Sequence, residues 1–426
     1  MATTVKAGFG KGTIHFPESL FPLEGFSGVH DDPHVRLMLL KLEHTALALL
    51  EAELVIVPRS SIETWRKKIS DAFQIPVEQT VVQMTHAITT PHEPGPMGPP
   101  HLRPEPTEED LRKRKIYHEV TDRAVDEAIG EAMGDLSDAV LGWGSGECTI
   151  NVSCDVETPF GWWLGVNDSA FSDHTMTVLR VNDFQGRPKG VFVSFGMKPS
   201  AIDNAGRGEN RRMVSSEVAG VFCRRMEEAY GVPVIYSVSA GGNQIPRESA
   251  LKQKVTAQGE VREIDEGPEQ GFAYAERQGT QMCEDAKKIV EQIACDEEIS
   301  NGKWARCSLR WPRRKGGPRR LMKELTHTPE GDTELTADVF RLGETVFVMV
   351  RPELTAEAGR LLLNTCGNWR IILMTLTNGE MKCLPERDAF QRGTYEAQGS
   401  NLMPGAAEAL IEAIANVIQE GNQDGH

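Results

Sequence analysis

The feature that most limits what this chain can become is a succession of short apolar runs, separated by segments of helical spacing and ending abruptly in a polar residue. Val35-Arg-Leu-Met-Leu-Leu-Lys-Leu and Glu53-Leu-Val-Ile-Val read as buried strands. Ile62, Trp65, Ile69 and Phe73 then fall on one helical face, and a third strand, Thr80-Val-Val-Gln-Met-Thr, runs out at His86. The alternation continues with a helix near 116–133 and strands at 139–142, 149–152, 175–181 and 190–195. Residues 215–229 form an amphipathic helix with Val218, Val221, Phe222 and Met226 on one face and Ser215 or Ser216 as its cap. The strand Pro233-Val-Ile-Tyr-Ser-Val leads into Ser239-Ala-Gly-Gly-Asn-Gln-Ile-Pro-Arg247, whose glycines let backbone approach a ligand or a neighbouring strand. A long helix over 271–293, a strand at 346–350, a helix opened by Glu353, a strand at 370–377 and a helix over 406–418 complete the pattern. The expected class is mixed α/β (α+β): mixed β-sheets flanked by helices in one domain over 1–426, with a site where strand ends converge.

Two segments break this rhythm. Residues 87–107 hold seven of the 24 prolines, which removes N–H donors and excludes helix and central strand, so a binding loop or lid is expected there. Between Lys303 and Lys323 stand nine basic residues and no acidic one. A solvated loop or a subunit contact is the plain reading, and an anion-attracting pocket rim the functional one.

Net charge is −16, which speaks against binding to nucleic acid through phosphate neutralisation. No apolar stretch reaches 18 residues and the start lacks an export pattern, so neither a membrane partner nor secretion is expected. The eight cysteines lack metal-knuckle spacing and suit reduced thiols in the cytoplasm. Basic and acidic surfaces on one chain favour a homo-oligomer.

Three strand ends deliver chemistry-bearing residues: His86, Lys198 after Val191-Phe-Val-Ser-Phe-Gly-Met, and Glu353 after Val346-Phe-Val-Met-Val-Arg-Pro. Their surroundings carry a resemblance. Thr85-His86-Ala-Ile-Thr-Thr-Pro-His92-Glu-Pro-Gly-Pro96, Phe195-Gly-Met-Lys198-Pro199, Ser215-Ser-Glu-Val-Ala-Gly220, Ala240-Gly-Gly-Asn243-Gln-Ile-Pro-Arg247, Arg351-Pro-Glu353 and Gly393-Thr-Tyr395-Glu396 follow one another as similar motifs do in the neutral ceramidases. The order agrees from Ala7-Gly-Phe-Gly to the last helix, so the chain is identified as resembling a divergent catalytic domain of that family.

The resemblance implies a zinc held by two histidines, a glutamate and a tyrosine, activating water to attack an amide carbonyl. Carried over by position, His86, Glu353 and Tyr395 are metal ligands, while the second histidine falls on Lys198. An ammonium has no lone pair to give a metal. Either zinc stays, with His92 or water completing its shell, or it is gone and the Lys198 ammonium takes the cation's place as acid/base or Schiff-base residue in a lyase or isomerase. Lys198 and His92 are therefore the expected catalytic residues. A binding protein that keeps only the architecture is the third possibility.

Further departures bear on substrate. Ala87 or Ile88 stands where the family has a second loop histidine, Asn243 replaces an aspartate, and an arginine is missing near Asn151-Val-Ser-Cys. Neither the family's export signal nor its C-terminal sandwich domain is expected, since the sequence closes at His426 after the last helix. A small polar substrate, an anion among the options, is expected rather than ceramide, with Phe160, Trp162 and Trp163 as pocket walls or plain core.

Overall fold

The computed structural model describes residues 5–96, 103–297, 299, 301–379 and 382–420. Its strand Val5–Thr13 shows why the outer helices lie where they do. Gly8, Gly10 and Gly12 share one face of this strand, and on each a Cβ would come within 3.0 Å of a carbonyl oxygen of Ala132, Ala128 or Ala124. The helix Glu108–Asp135 thus rests its alanine stripe, spaced every four residues, directly on a glycine stripe spaced every two. Thr107 fixes the start of that helix through a capping box with Asp110.

The strand belongs to an eight-stranded mixed sheet whose spatial order is Val234–Val238, Pro188–Phe195, Thr175–Asn182, Ser137–Glu147, Val5–Thr13, His34–Lys41, Ala46–Ala52 and Thr80–Met84. Only the outermost pairs are parallel. A second sheet is ordered Gly302–Arg314, Pro329–Leu342, Thr345–Val350 and Arg370–Met374, with its last pair parallel. The two sheets face each other across a layer that includes Phe9, Leu49, Phe192, Phe340, Phe347 and Met374. Helices Arg59–Phe73 and Glu108–Asp135 cover one half of the large sheet's other face, and Glu217–Tyr230 and Pro268–Val290 the other half. Ala356–Thr365 and Ala406–Glu420 cover the small sheet. The result is helix, sheet, sheet, helix, which buries both faces of both sheets. Among the described residues no helix is long and apolar enough to cross a membrane.

One seam joins the sheets edge to edge. The Asn378 N–H donates to Val82 O at 2.8 Å, and its side-chain Oδ1 accepts from the Val82 N–H at 3.0 Å. The Thr377 N–H donates to Val350 O at 3.2 Å, while Gln83 Nε2 donates to Val238 O and Thr375 O. The exposed edge of Thr80–Met84 is thereby satisfied by chain emerging from the second sheet.

The mixed α+β class is as expected, but several boundaries differ. The strand read at 53–57 lies instead at Ala46–Ala52. Leu54 N–H turns back to Ala52 O, and the buried Glu53 carboxylate is taken by Arg36 at 2.6 Å and His34 at 3.2 Å. The strand read at 149–152 is Asn151–Thr158. The helix after Glu353 begins only at Ala356, behind Thr355. Ser216 makes no capping bond, and it is Ser215 Oγ that accepts from the Glu217 N–H at 3.2 Å. Half of the basic segment is the strand Gly302–Arg314, where Arg306 and Arg310 pair with Asp338 and Asp332 across the ladder or beside it. Residues 97–102 of the proline-rich loop lie outside the described residues.

Gly10→Val inserts branched carbon against helix backbone that has nowhere to go, and is expected to destabilise the fold by about 3 kcal/mol. Urea unfolding checks this, and a variant with the wild-type midpoint contradicts the close approach of strand and helix.

Candidate functional site

The seam positions two strand exits side by side. His86 follows Thr80–Met84 by two residues and holds a left-handed φ of 64°, uncommon for any residue with a side chain. Glu353 follows Thr345–Val350 across the seam, with Leu384 N–H donating to its carbonyl at 2.8 Å. Their side chains meet, His86 Nδ1 lying 3.0 Å from Glu353 Oε1. Cys383 completes the carboxylate's surroundings, its Sγ 3.7 Å from Oε2.

Both residues line a cavity of about 990 Å³. Tyr395 and His92 line it as well, so four of the five residues singled out from sequence share one chamber. Lys198 stands behind that wall. Its Nζ donates to Gly242 O at 2.7 Å, and its backbone N–H donates to Gln244 O. Gly242 reaches this place because a Cβ there would meet Leu354 O at 2.8 Å and Glu353 O at 3.1 Å. The turn 239–243 therefore approaches the Glu353 backbone and presents a carbonyl to Lys198.

Electrostatics tie these groups together. Burial by itself would push the Glu353 carboxyl up, but the neighbouring His86 and Lys198 charges and the His86 hydrogen bond bring it down to about 2. Burial by itself would also strip the proton from Lys198; Glu353, then Cys154 and Glu396, outweigh it and hold the ammonium well above the usual lysine range. A Schiff base needs a free amine, so this environment works against a nucleophilic Lys198.

His92 takes a different partner, with its Nδ1 3.0 Å from Glu24 Oε2 and its N–H on the same oxygen. Tyr395 opens the short helix Tyr395–Gly399, which Thr394 caps. Its hydroxyl accepts from Arg319 Nη1 at 3.1 Å, and the guanidinium lies 4.1 Å above its ring. Trp163 packs edge-on against the same ring at 5.4 Å and donates to Gln253 at 2.6 Å, while Arg392 sits over Trp162. Trp163 thus supports Tyr395, and neither tryptophan lines the cavity.

Behind Lys198 is a second polar cluster, invisible to motif reading. Cys154, Asp155 and Glu396 lie close enough to hold a cation, and they form the one such group of His, Cys, Asp or Glu among the described residues. Cys154 Sγ donates to Glu396 Oε1 at 3.3 Å. Asn243 Nδ2 donates to Asp155 at 3.2 Å and Glu357 at 2.9 Å. Burial, then the Glu396 charge, raises the Asp155 carboxyl well above its usual range. An amide at position 243 supplies donors to carboxylates where the family's aspartate would add another charge.

The zinc set implied by the resemblance can be tested against these contacts. Only His86 and Glu353 touch, and the Tyr395 hydroxyl is engaged by a guanidinium. Lys198 stays an ammonium behind the cavity wall, bonded to Gly242 O. A dication beside the pair would be repelled by an ammonium already held nearby by the same carboxylate. Two donors flanked by fixed positive charge do not fit the four-ligand zinc of the family.

The carboxylate's environment carries a pH signature. A depressed acid contributes stability that is complete above its unfolded pKa and disappears as pH falls through the folded one. The advantage of wild type over Glu353→Gln is expected to be constant above the ordinary glutamate value of 4.5 and to shrink by roughly 3 kcal/mol on approach to about pH 2. Urea unfolding of both proteins at several pH values checks this, and a difference independent of pH contradicts it.

No family model matches the sequence, and a search of curated proteins finds no match. Solved structures do match. A ceramidase complexed with C2 superimposes with a TM-score of 0.70 at 15% identity, over 98% of this chain and 76% of that one. A neutral ceramidase from Pseudomonas aeruginosa gives 0.71 at 16% identity, over 98% and 74%. The chain therefore has a neutral-ceramidase-like fold, as its ordered motifs lead one to expect.

Proposed function

We propose that this protein is a hydrolase that cleaves an amide or related C–N bond in a small polar substrate, using the His86–Glu353 pair to activate water without a resident metal. The observation that carries the reading is the 3.0 Å contact between a cavity-lining imidazole and an ionised carboxylate, on a fold like that of neutral ceramidases.

Glu353 accepts the Nδ1–H of His86, which leaves Nε2 as the basic nitrogen. In the proposed cycle Nε2 removes a proton from water as the water oxygen bonds to the carbonyl carbon. The resulting oxyanion is stabilised by the Tyr395 hydroxyl at the cavity wall, whose oxygen accepts from Arg319. Collapse breaks the C–N bond, and the imidazolium returns its proton to the leaving nitrogen. Lys198 is a positioning residue, keeping Glu353 ionised from behind. A zinc-dependent reaction at His86, Glu353 and Tyr395 is disfavoured by the charges already described. The lyase reading finds less support, because the Lys198 amine is held protonated and bound to Gly242 O.

The proposal includes one domain, a cytoplasmic setting and a homo-oligomer without nucleic-acid or membrane partners. Support comes from the eight free cysteines, the net charge of −16 and the mixed surface charge.

Amine release from a panel of N-acyl amino acids and related amides is the direct assay. Wild type is expected to turn over at least one member, to carry no stoichiometric zinc by elemental analysis, and to be untouched by chelators. His86→Ala and Glu353→Gln are expected to lose a hundredfold or more in kcat. Stoichiometric zinc with chelator-sensitive turnover overturns the metal-free mechanism, and an inert wild type across the panel counts against the hydrolase itself. Lys198→Met is expected to keep measurable turnover while shifting the acid limb of the pH–rate profile upward, since Glu353 loses a neighbouring charge. An unmoved profile removes Lys198 from the positioning role.

A further inference from the structure

The cavity has a charge asymmetry that hydrolysis of a neutral amide does not require. Arg313, Arg319, Arg351 and Lys382 line it, against two carboxylates, Glu334 and Glu353. Glu353 is committed to His86, and Glu334 accepts from Ser308 Oγ. Among the described residues none of the four cations forms an ion pair, although Arg306, Arg310, Arg314 and Arg370 nearby all find carboxylate or carbonyl partners.

Three of the four are built into place. Arg313 sits at the register shift between Pro312 and Arg314 in the strand Gly302–Arg314, and its Nε is buried with no hydrogen-bond partner. Arg319 lies over Tyr395, in space that a Cβ on Gly399 would fill. Arg351 leaves the strand Thr345–Val350 two residues before Glu353 and stands in the wall shared with a neighbouring cavity of about 400 Å³, which His92 also lines. Burial and then Arg59 lower the Arg351 pKa, and the smaller pull of the Asp338 and Glu334 charges does not offset them. Guanidinium forks without acid partners, in a concave wall, are suited to carboxylate or phosphate oxygens.

The geometry points to an oxyanion-binding subsite beside the His86–Glu353 pair, in which Arg313, Arg319, Arg351 and Lys382 hold a carboxylate or phosphate group of the substrate. This rests on the hydrolase reading for its link to catalysis, and it narrows the substrate class to anionic amides. The same arginines explain how a chain of net charge −16 can draw an anion, since focusing at a cleft depends on local rather than total charge.

Isothermal titration and thermal shift with inorganic phosphate and with tricarballylate, against sodium chloride at matched ionic strength, test the subsite without any turnover. Saturable binding of at least one is expected, and the tighter of the two tells phosphate from carboxylate recognition. Arg351→Gln alone and Arg313→Gln with Arg351→Gln are each expected to weaken binding at least tenfold. Arg310→Gln, on the exposed ladder outside the cavity, is expected to leave it unchanged. Circular dichroism checks the fold of each variant, and the single variant keeps the test decisive where the double one fails to fold. Absence of saturable binding to either anion, or binding unaffected by Arg351→Gln, overturns the subsite. Binding with no hydrolysis of any amide leaves the subsite standing and defeats the catalytic reading alone.

Discussion

The site depends on a short edge-to-edge junction. Asn378 bonds through both main chain and side chain to Val82, and that pair of bonds ties the last strand of the large sheet to the chain leaving the small one. Without it, the strand exits of His86 and Glu353 would lose the bonds nearest the pair, and the apolar layer between the sheets fixes separation but not register. Gln83, buried between Val238 and Thr375, adds the directional bonds that a greasy layer lacks. A left-handed backbone at Asn378 and at His86 is the local cost of turning both chains into the junction.

Behind the pair, charge is balanced in an unusual way. Lys198 serves carboxylates on two sides, Glu353 toward the cavity and Glu396 toward the interior cluster with Asp155 and Cys154. Burying acids so close together is tolerable only with a shared proton, a cation or amide donors, and here Lys198 and Asn243 supply two of the three. Replacing a histidine by lysine and an aspartate by asparagine both shift the region toward positive charge. The two departures from the ceramidase motifs therefore act in one direction.

Much of this was legible before any coordinates. Periodicity placed most strands and helices, because both faces of each sheet are buried and the apolar runs are uninterrupted. Strand exits marked His86 and Glu353, and the ordered motifs added Tyr395 and His92. Glu53 misled, since a buried acid inside an apolar run looks like strand until its partners Arg36 and His34 are seen. Arg351, Cys383 and the Cys154–Asp155–Glu396 cluster were not legible as site residues, being brought in by loops and neighbouring strands with no local spacing signal, whereas Arg319 belongs to the basic segment already read as a possible pocket rim. The first half of the basic segment is a paired strand rather than the loop expected, and Arg313, Gly316, Gly317 and Arg319 of the segment line the cavity. Of the two readings open for the tryptophans, pocket wall or plain core, packing is what the structure shows, Trp163 against Tyr395 and Trp162 under Arg392.

The account turns on how the His86 imidazole is held. Long-range proton–nitrogen correlation spectra of histidine-labelled protein, assigned with a His86→Gln variant, report which ring nitrogen carries hydrogen near neutral pH. The account predicts a neutral His86 ring protonated at Nδ1, with Nε2 bare, and loss of that tautomer in Glu353→Gln. A His86 ring protonated at Nε2 in wild type, or one indifferent to Glu353, would contradict it.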